Sequence, residues 1–177
     1  MMTSSTSATA TARPRVRRLL RAVLGAVLLA ASAATVAPVH AHHSFSIFDS
    51  AKTKVFTGVV VRVNPDVNHL QIFFAVMNEE RTNVLRNAKG EPIIWAVEMA
   101  GSAQAARQGI SVNAFPPRTI MSVGLHPLRS GEPAGDRGDS PLFKCPANTP
   151  PKAGKHCDSV EGHVAIGTGK LPVATDS

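Results

Sequence analysis

Three stretches of the chain alternate apolar and polar side chains with a period of two, and this alternation constrains the fold more than any other feature of the sequence. Successive side chains of a strand point to opposite faces, so such a period predicts strands with one buried face. Val55–Val63 sets Val55, Thr57, Val59, Val61 and Val63 on one face and Arg62 on the other. Gly58 inside it predicts a bulge or sharp bend, and Asn64-Pro65-Asp66 ends it with turn chemistry. Leu70–Val76 sets Leu70, Ile72, Phe74 and Val76 on one face. Ile93–Met99 sets Ile93, Trp95, Val97 and Met99 inward and Glu98 outward. Between these two, Asn78–Pro92 is polar and contains Lys89-Gly90, which predicts an extended hairpin loop.

Ser102 is placed to cap a short helix over Ala103–Gln108, with Gly109 as the residue that ends it. Pro116-Pro117 bars any helix beyond, and Thr119–Leu125 predicts a fourth strand. Pro127–Ser159 holds six prolines and both cysteines and predicts a long loop ordered by a disulfide; Val160–Ile166 predicts a short final strand. Three strands, a helix and two strands make the order of an OB-fold, a small five-stranded barrel. The expectation is a mainly β protein, an OB-like barrel with one short helix and a long disulfide-bonded loop. A small open β-sandwich would give a similar string.

Ahead of these strands stands a three-part leader. Arg13–Arg21 is positively charged, Ala22–Ala37 is apolar, and Val39-His40-Ala41 supplies small residues at a cut site. This is the layout of a secretory signal peptide, with Ala33 as the fallback cut. The apolar run falls short of the ~20 residues that span a membrane and is followed by Pro38, so no stable membrane anchor is expected after cleavage. Arg17-Arg18 is a twin arginine in poor context, which favours general secretion. The predicted division is residues 1–41, a cleaved signal, and residues 42–177, one domain located in the periplasm or secreted. Five of the 19 basic side chains precede residue 22 and all 12 acidic ones follow residue 41. The formal charge of +7 therefore falls to +2 from residue 42 onward, with 14 basic and 12 acidic groups. With no tyrosine and one tryptophan as well, no nucleic-acid partner is expected, although Phe56 and Phe73 are candidates for an outward face.

Cys145 and Cys157 are the sole cysteines, and in an oxidising compartment such a pair forms a disulfide. The rival is a metal site of Cys145, His156, Cys157 and His163, whose spacing matches no zinc pattern.

The chain resembles a family of small uncharacterised bacterial exported proteins, the domain of unknown function numbered 6152. The residues that carry the likeness are Ala41-His42-His43-Ser44-Phe45, Thr57-Gly58-Val59-Val60, Asn64-Pro65 followed by a histidine, and Trp95-Ala96-Val97-Glu98 before Gly101-Ser102. The family pattern has the histidine directly after Asn-Pro; here Asp66-Val67-Asn68 precede His69. The resemblance implies a periplasmic OB-like barrel and no activity.

Cleavage after Ala41 would make His42 the mature N-terminus, whose amine and ring nitrogen can chelate one metal ion. His43, His69, His126 or His163 could supply a further imidazole, and such nitrogen ligands favour Cu(II). Glu98 is the one acidic residue in a predicted core strand, and an outward pairing with an arginine is its expected state. Nucleophile elbows, His-Glu-x-x-His, phosphate loops and dinucleotide turns do not occur. Arg137-Gly138-Asp139 matches an adhesion tripeptide, for which chance is the better explanation in a Gly/Pro segment. The reading that results is a non-catalytic binding or accessory module with no cofactor, whose partner is a periplasmic protein or small ligand. A copper-binding or copper-dependent redox protein is the alternative, and an enzyme with an unrecognised site comes third.

Overall fold

In the computed structural model, which describes residues 45–66 and 68–175, β1 (Lys54–Asn64) runs antiparallel to β2 (Gln71–Val76), and β2 to β3 (Ile94–Glu98). The short helix α1 (Ser102–Arg107) follows, then β4 (Ile120–Pro127), which returns antiparallel to β1. β5 (Ala134–Asp136) lies parallel to β3 and antiparallel to the end of β4, closing the ring β1-β2-β3-β5-β4. This is the OB-like barrel expected, with its helix between the third and fourth strands. β6 (Leu142–Lys144) pairs with β4 at Met121–Val123, beside the stretch that β5 occupies, and β7 (Val164–Ile166) pairs with β6.

The fifth barrel strand is therefore not Val160–Ile166. It lies inside the segment expected to be a loop, and the later strand shortens to Val164–Ile166 and pairs outside the ring. Ala-Gly-Asp has no alternation to betray it. β5 is held instead by backbone bonds, with Ala96 N donating to Pro133 O at 3.0 Å and Arg137 N to Glu98 O at 3.0 Å. Gly135 is required there, since a Cβ on it would stand 2.4 Å from the His126 carbonyl oxygen.

The core is filled by Leu70, by Ile72, Phe74 and Val76 of β2 and by Val97 and Met99, as the alternation requires, joined by Ile110, Phe115, Met121, Val123 and Leu125. In β1 the inward face is the opposite of the expected one. Val60 is buried in the core, Phe56 packs against it with its ring 4.6 Å from Trp95, and Val61 is 44% exposed. Valines occupy both parities of this strand, so packing decides: Gly58 faces inward and leaves room for Phe74, whose Cδ2 would lie 2.4 Å from any added Cβ. The bulge sits two residues further on, between Val60 and Arg62, and restores Val63 to the core side. Of the two phenylalanines expected outside, Phe73 is there, with the Arg62 guanidinium 3.5 Å above its ring, and Phe56 is not.

Ser102 is the first residue of α1 rather than its cap; Gly101 takes that place, and the Ser102 hydroxyl donates to the Asp66 carbonyl. Gly109 ends the helix with φ +84°, as expected. Outside β4 lies a second apolar cluster of Phe143, Cys145 and Cys157, and the two sulfurs are bonded with Cα atoms 4.9 Å apart.

Candidate functional site

The β1–β2 turn and the start of α1 are clipped together. The Asp66 carboxylate accepts from Asn68 N at 2.8 Å and His69 N at 3.4 Å, bonds that hold it below the usual carboxylate range. The Asp66 carbonyl accepts from Ser102, and Leu70 and Met99 pair through their backbones. Next to this turn, His69 Nδ1 lies 3.0 Å from Glu98 Oε1. Nδ1 is the ring nitrogen placed to donate to that carboxylate. Glu98 thus faces outward as expected, but its partner is a histidine and not an arginine. Two motifs that carry the family likeness meet in this pair.

Strand register extends the polar surface. Gln71, Glu98, Asp136 and His126 lie side by side across β2, β3, β5 and β4. Beside them is a cavity of about 500 Å³, walled by His69 and Met99, by Gln104 of α1 and Gln108 at its C-cap, by Asp136 at the end of β5, and by Arg137, Asp139 and Thr168. Arg137 is 8% exposed. Its Nη2 donates to Gln108 Oε1 at 2.9 Å, while Nε and Nη1 are buried without an acceptor. Such orphaned donors cost about 1–3 kcal/mol each. Burial pushes the guanidinium below its ordinary pKa, and Asp136 and Asp139 push the other way; the group stays charged. An arginine so enclosed is not an exposed adhesion tripeptide.

The sequence candidates separate. His42 and His43 lie outside the described residues. His126 gives its Nδ1 proton to Lys52 O at 2.8 Å, at the far end of the polar row from His69. His163 gives its own to Val160 O at 2.8 Å and stands edge-on to Phe143, in the outer cluster. Among the described residues, no group of three or more His, Cys, Asp or Glu side chains is placed to hold one metal ion. The four-residue site weighed against the disulfide does not form, because the sulfurs are joined and His156 is engaged elsewhere. Its Nδ1 lies 2.8 Å from the Thr57 hydroxyl, which is 2.7 Å from Ser122 Oγ, and Ser122 Oγ accepts from Cys157 N. Burial pushes the His156 pKa down, Arg81 pushes it the same way, and Asp158 opposes both.

The cavity residues Asp136, Arg137, Gln104 and Gln108 were not legible as a site. The one signal was the charged Asp-Arg-Gly-Asp run in an otherwise Pro/Gly-rich segment.

A closed five-stranded OB-like barrel with an outer disulfide cluster and a polar cavity beside α1 is the class of protein that fold and site define. The model of a family of unknown function, DUF6152, matches residues 28–137, and the chain belongs to that family. No curated protein and no solved structure matches it. The match ends at Arg137, so the barrel lies within it and both cysteines lie beyond.

Proposed function

We propose that the protein is a small exported binding module, acting in the periplasm or outside the cell, that holds a small polar ligand in the cavity beside α1. The observation that carries this is the cavity itself. Its volume falls in the range of small-molecule sites, roughly 300–1,000 Å³, and its wall combines a buried cation, carboxylates and two amides. The leader supports the location, since it has the charged, apolar and small-residue parts of an export signal. Binding without turnover accounts for a wall rich in hydrogen-bonding groups and a chain without a catalytic motif.

The test uses protein recovered after export, whose intact mass should correspond to a chain beginning at His42. Ligand-observed NMR with mixtures of polar metabolites should then give hits. Gln104 is exposed on α1 and lines the cavity, so Gln104→Trp should fill the space, abolish the hits and leave the thermal midpoint nearly unchanged. Hits that all survive in Gln104→Trp would overturn the reading, as would a mature chain that keeps residues 22–37.

A further inference from the structure

We propose that the cavity selects a small zwitterion of the amino-acid type, its carboxylate taken by Arg137 and its ammonium by Asp136 and Asp139. This rests on the reading of the cavity as a ligand site and names the class of ligand.

Arg137 is more than nine-tenths buried and lines the cavity, yet its guanidinium meets a single acceptor, the neutral amide oxygen of Gln108. Nε and Nη1 have none. A guanidinium is the planar partner that a carboxylate fits best, through charge-assisted bonds. The Gln108 amide occupies the position that a ligand carboxylate would take: it offers one oxygen, without charge, from an exposed side chain just past a short helix. Displacing it exchanges a neutral hydrogen bond for an ion pair and brings a second oxygen to a group short of acceptors.

Charge narrows the class further. Asp136 and Asp139 both line the cavity, on either side of Arg137-Gly138 in the chain. A simple anion drawn to the arginine would be repelled by both. A plain cation would be repelled by the arginine. A molecule with a carboxylate and an ammonium a few ångström apart satisfies both signs, and its approach leaves no added net charge in the cavity. The remaining polar wall, His69, Gln104 and Thr168, suits a polar side chain.

The experiment is calorimetric titration of the mature, oxidised protein with the individual α-amino acids. It is repeated with the primary amide of any that binds, which lacks the carboxylate charge, and with its N-acetyl form, which lacks the ammonium. At least one amino acid should bind, and both derivatives should lose about tenfold or more in affinity, the size of one charge-assisted hydrogen bond. Because Arg137 substitutions can unfold the protein, the decisive variant is Gln108→Glu. It sets a carboxylate of the chain's own against Nη2, and should raise the thermal midpoint, keep the circular dichroism and remove amino-acid binding. An amide or N-acetyl derivative that binds as well as its parent would overturn the proposal, as would undiminished binding by Gln108→Glu. If no amino acid binds while Gln104→Trp still abolishes metabolite hits, the zwitterion is wrong and the cavity reading stands. Failure of both titrations overturns both.

Discussion

Thr57 stands in β1 with its hydroxyl between Ser122 and His156, all on the face of the barrel that the outer cluster covers. The imidazole is held neutral by its burial and by Arg81. Its folded pKa therefore lies below the value of about 6.5 that it regains on unfolding. The unfolded chain then binds more protons as the pH drops through 6.5, and stability is lost progressively until the folded pKa is passed. Replacing His156 by Gln keeps a polar partner for Thr57 and removes the titration. Urea midpoints at about pH 7 and pH 5 should fall less between the two conditions in H156Q than in the parent. Equal falls would show that His156 does not set the acid sensitivity. Single residues also mark the limit of what the sequence discloses. Glu98 and His69 each stood out by type and position, but their 3.0 Å contact depends on how the Asp66 turn is clipped to α1. Arg137 stood out only within a tripeptide ascribed to chance, because an arginine reads as surface until packing encloses it.

The strands were legible where one parity of side chains is apolar and the other is not, as in β2 and β3. β1 was legible as a strand and misread as to its face, because valine fills both parities and the choice falls to Gly58 and the rings around it. Gly58→Ala tests that account directly. The new methyl would meet Phe74 Cδ2 at 2.4 Å and the Ala75 carbonyl oxygen at 2.9 Å. Overpacking of this kind costs about 1–3 kcal/mol, measurable as a lowered denaturant midpoint at unchanged m-value. A stability equal to the parent's would mean that Gly58 faces outward after all and that the expected parity was right. β5 was illegible for a different reason. Three residues with a central glycine carry no pattern, and they become a strand only because β3 and β4 leave a gap that their backbone groups can bridge.

Among the described residues, the barrel carries an outer cover that is cross-linked within itself by the disulfide. β6 and β7 bring Leu142 and Ile166 into the main core, while Phe143 and the disulfide pack on the outside of β4. Arg81, through its bond to Lys155 O at 2.9 Å, ties the β2–β3 hairpin loop to the same cover. Replacing both cysteines by Ser should lower stability by about 3 kcal/mol, the chain-entropy value for a loop of this length, and leave the far-ultraviolet circular dichroism of the barrel intact. Loss of that spectrum at room temperature would show that the barrel cannot stand without its staple.

The position of the disulfide in the chain bears on how the protein is made. Every strand of the closed ring lies before Arg137 and both cysteines lie after it. A chain emerging amino end first thus presents every ring strand before either cysteine, while Leu142 and Ile166, which complete the main core, follow the ring in sequence. With two cysteines and one pairing, oxidation has no wrong intramolecular choice to make. The bond closes a loop outside the ring, so forming it needs an oxidant but no isomerase to correct its pairing.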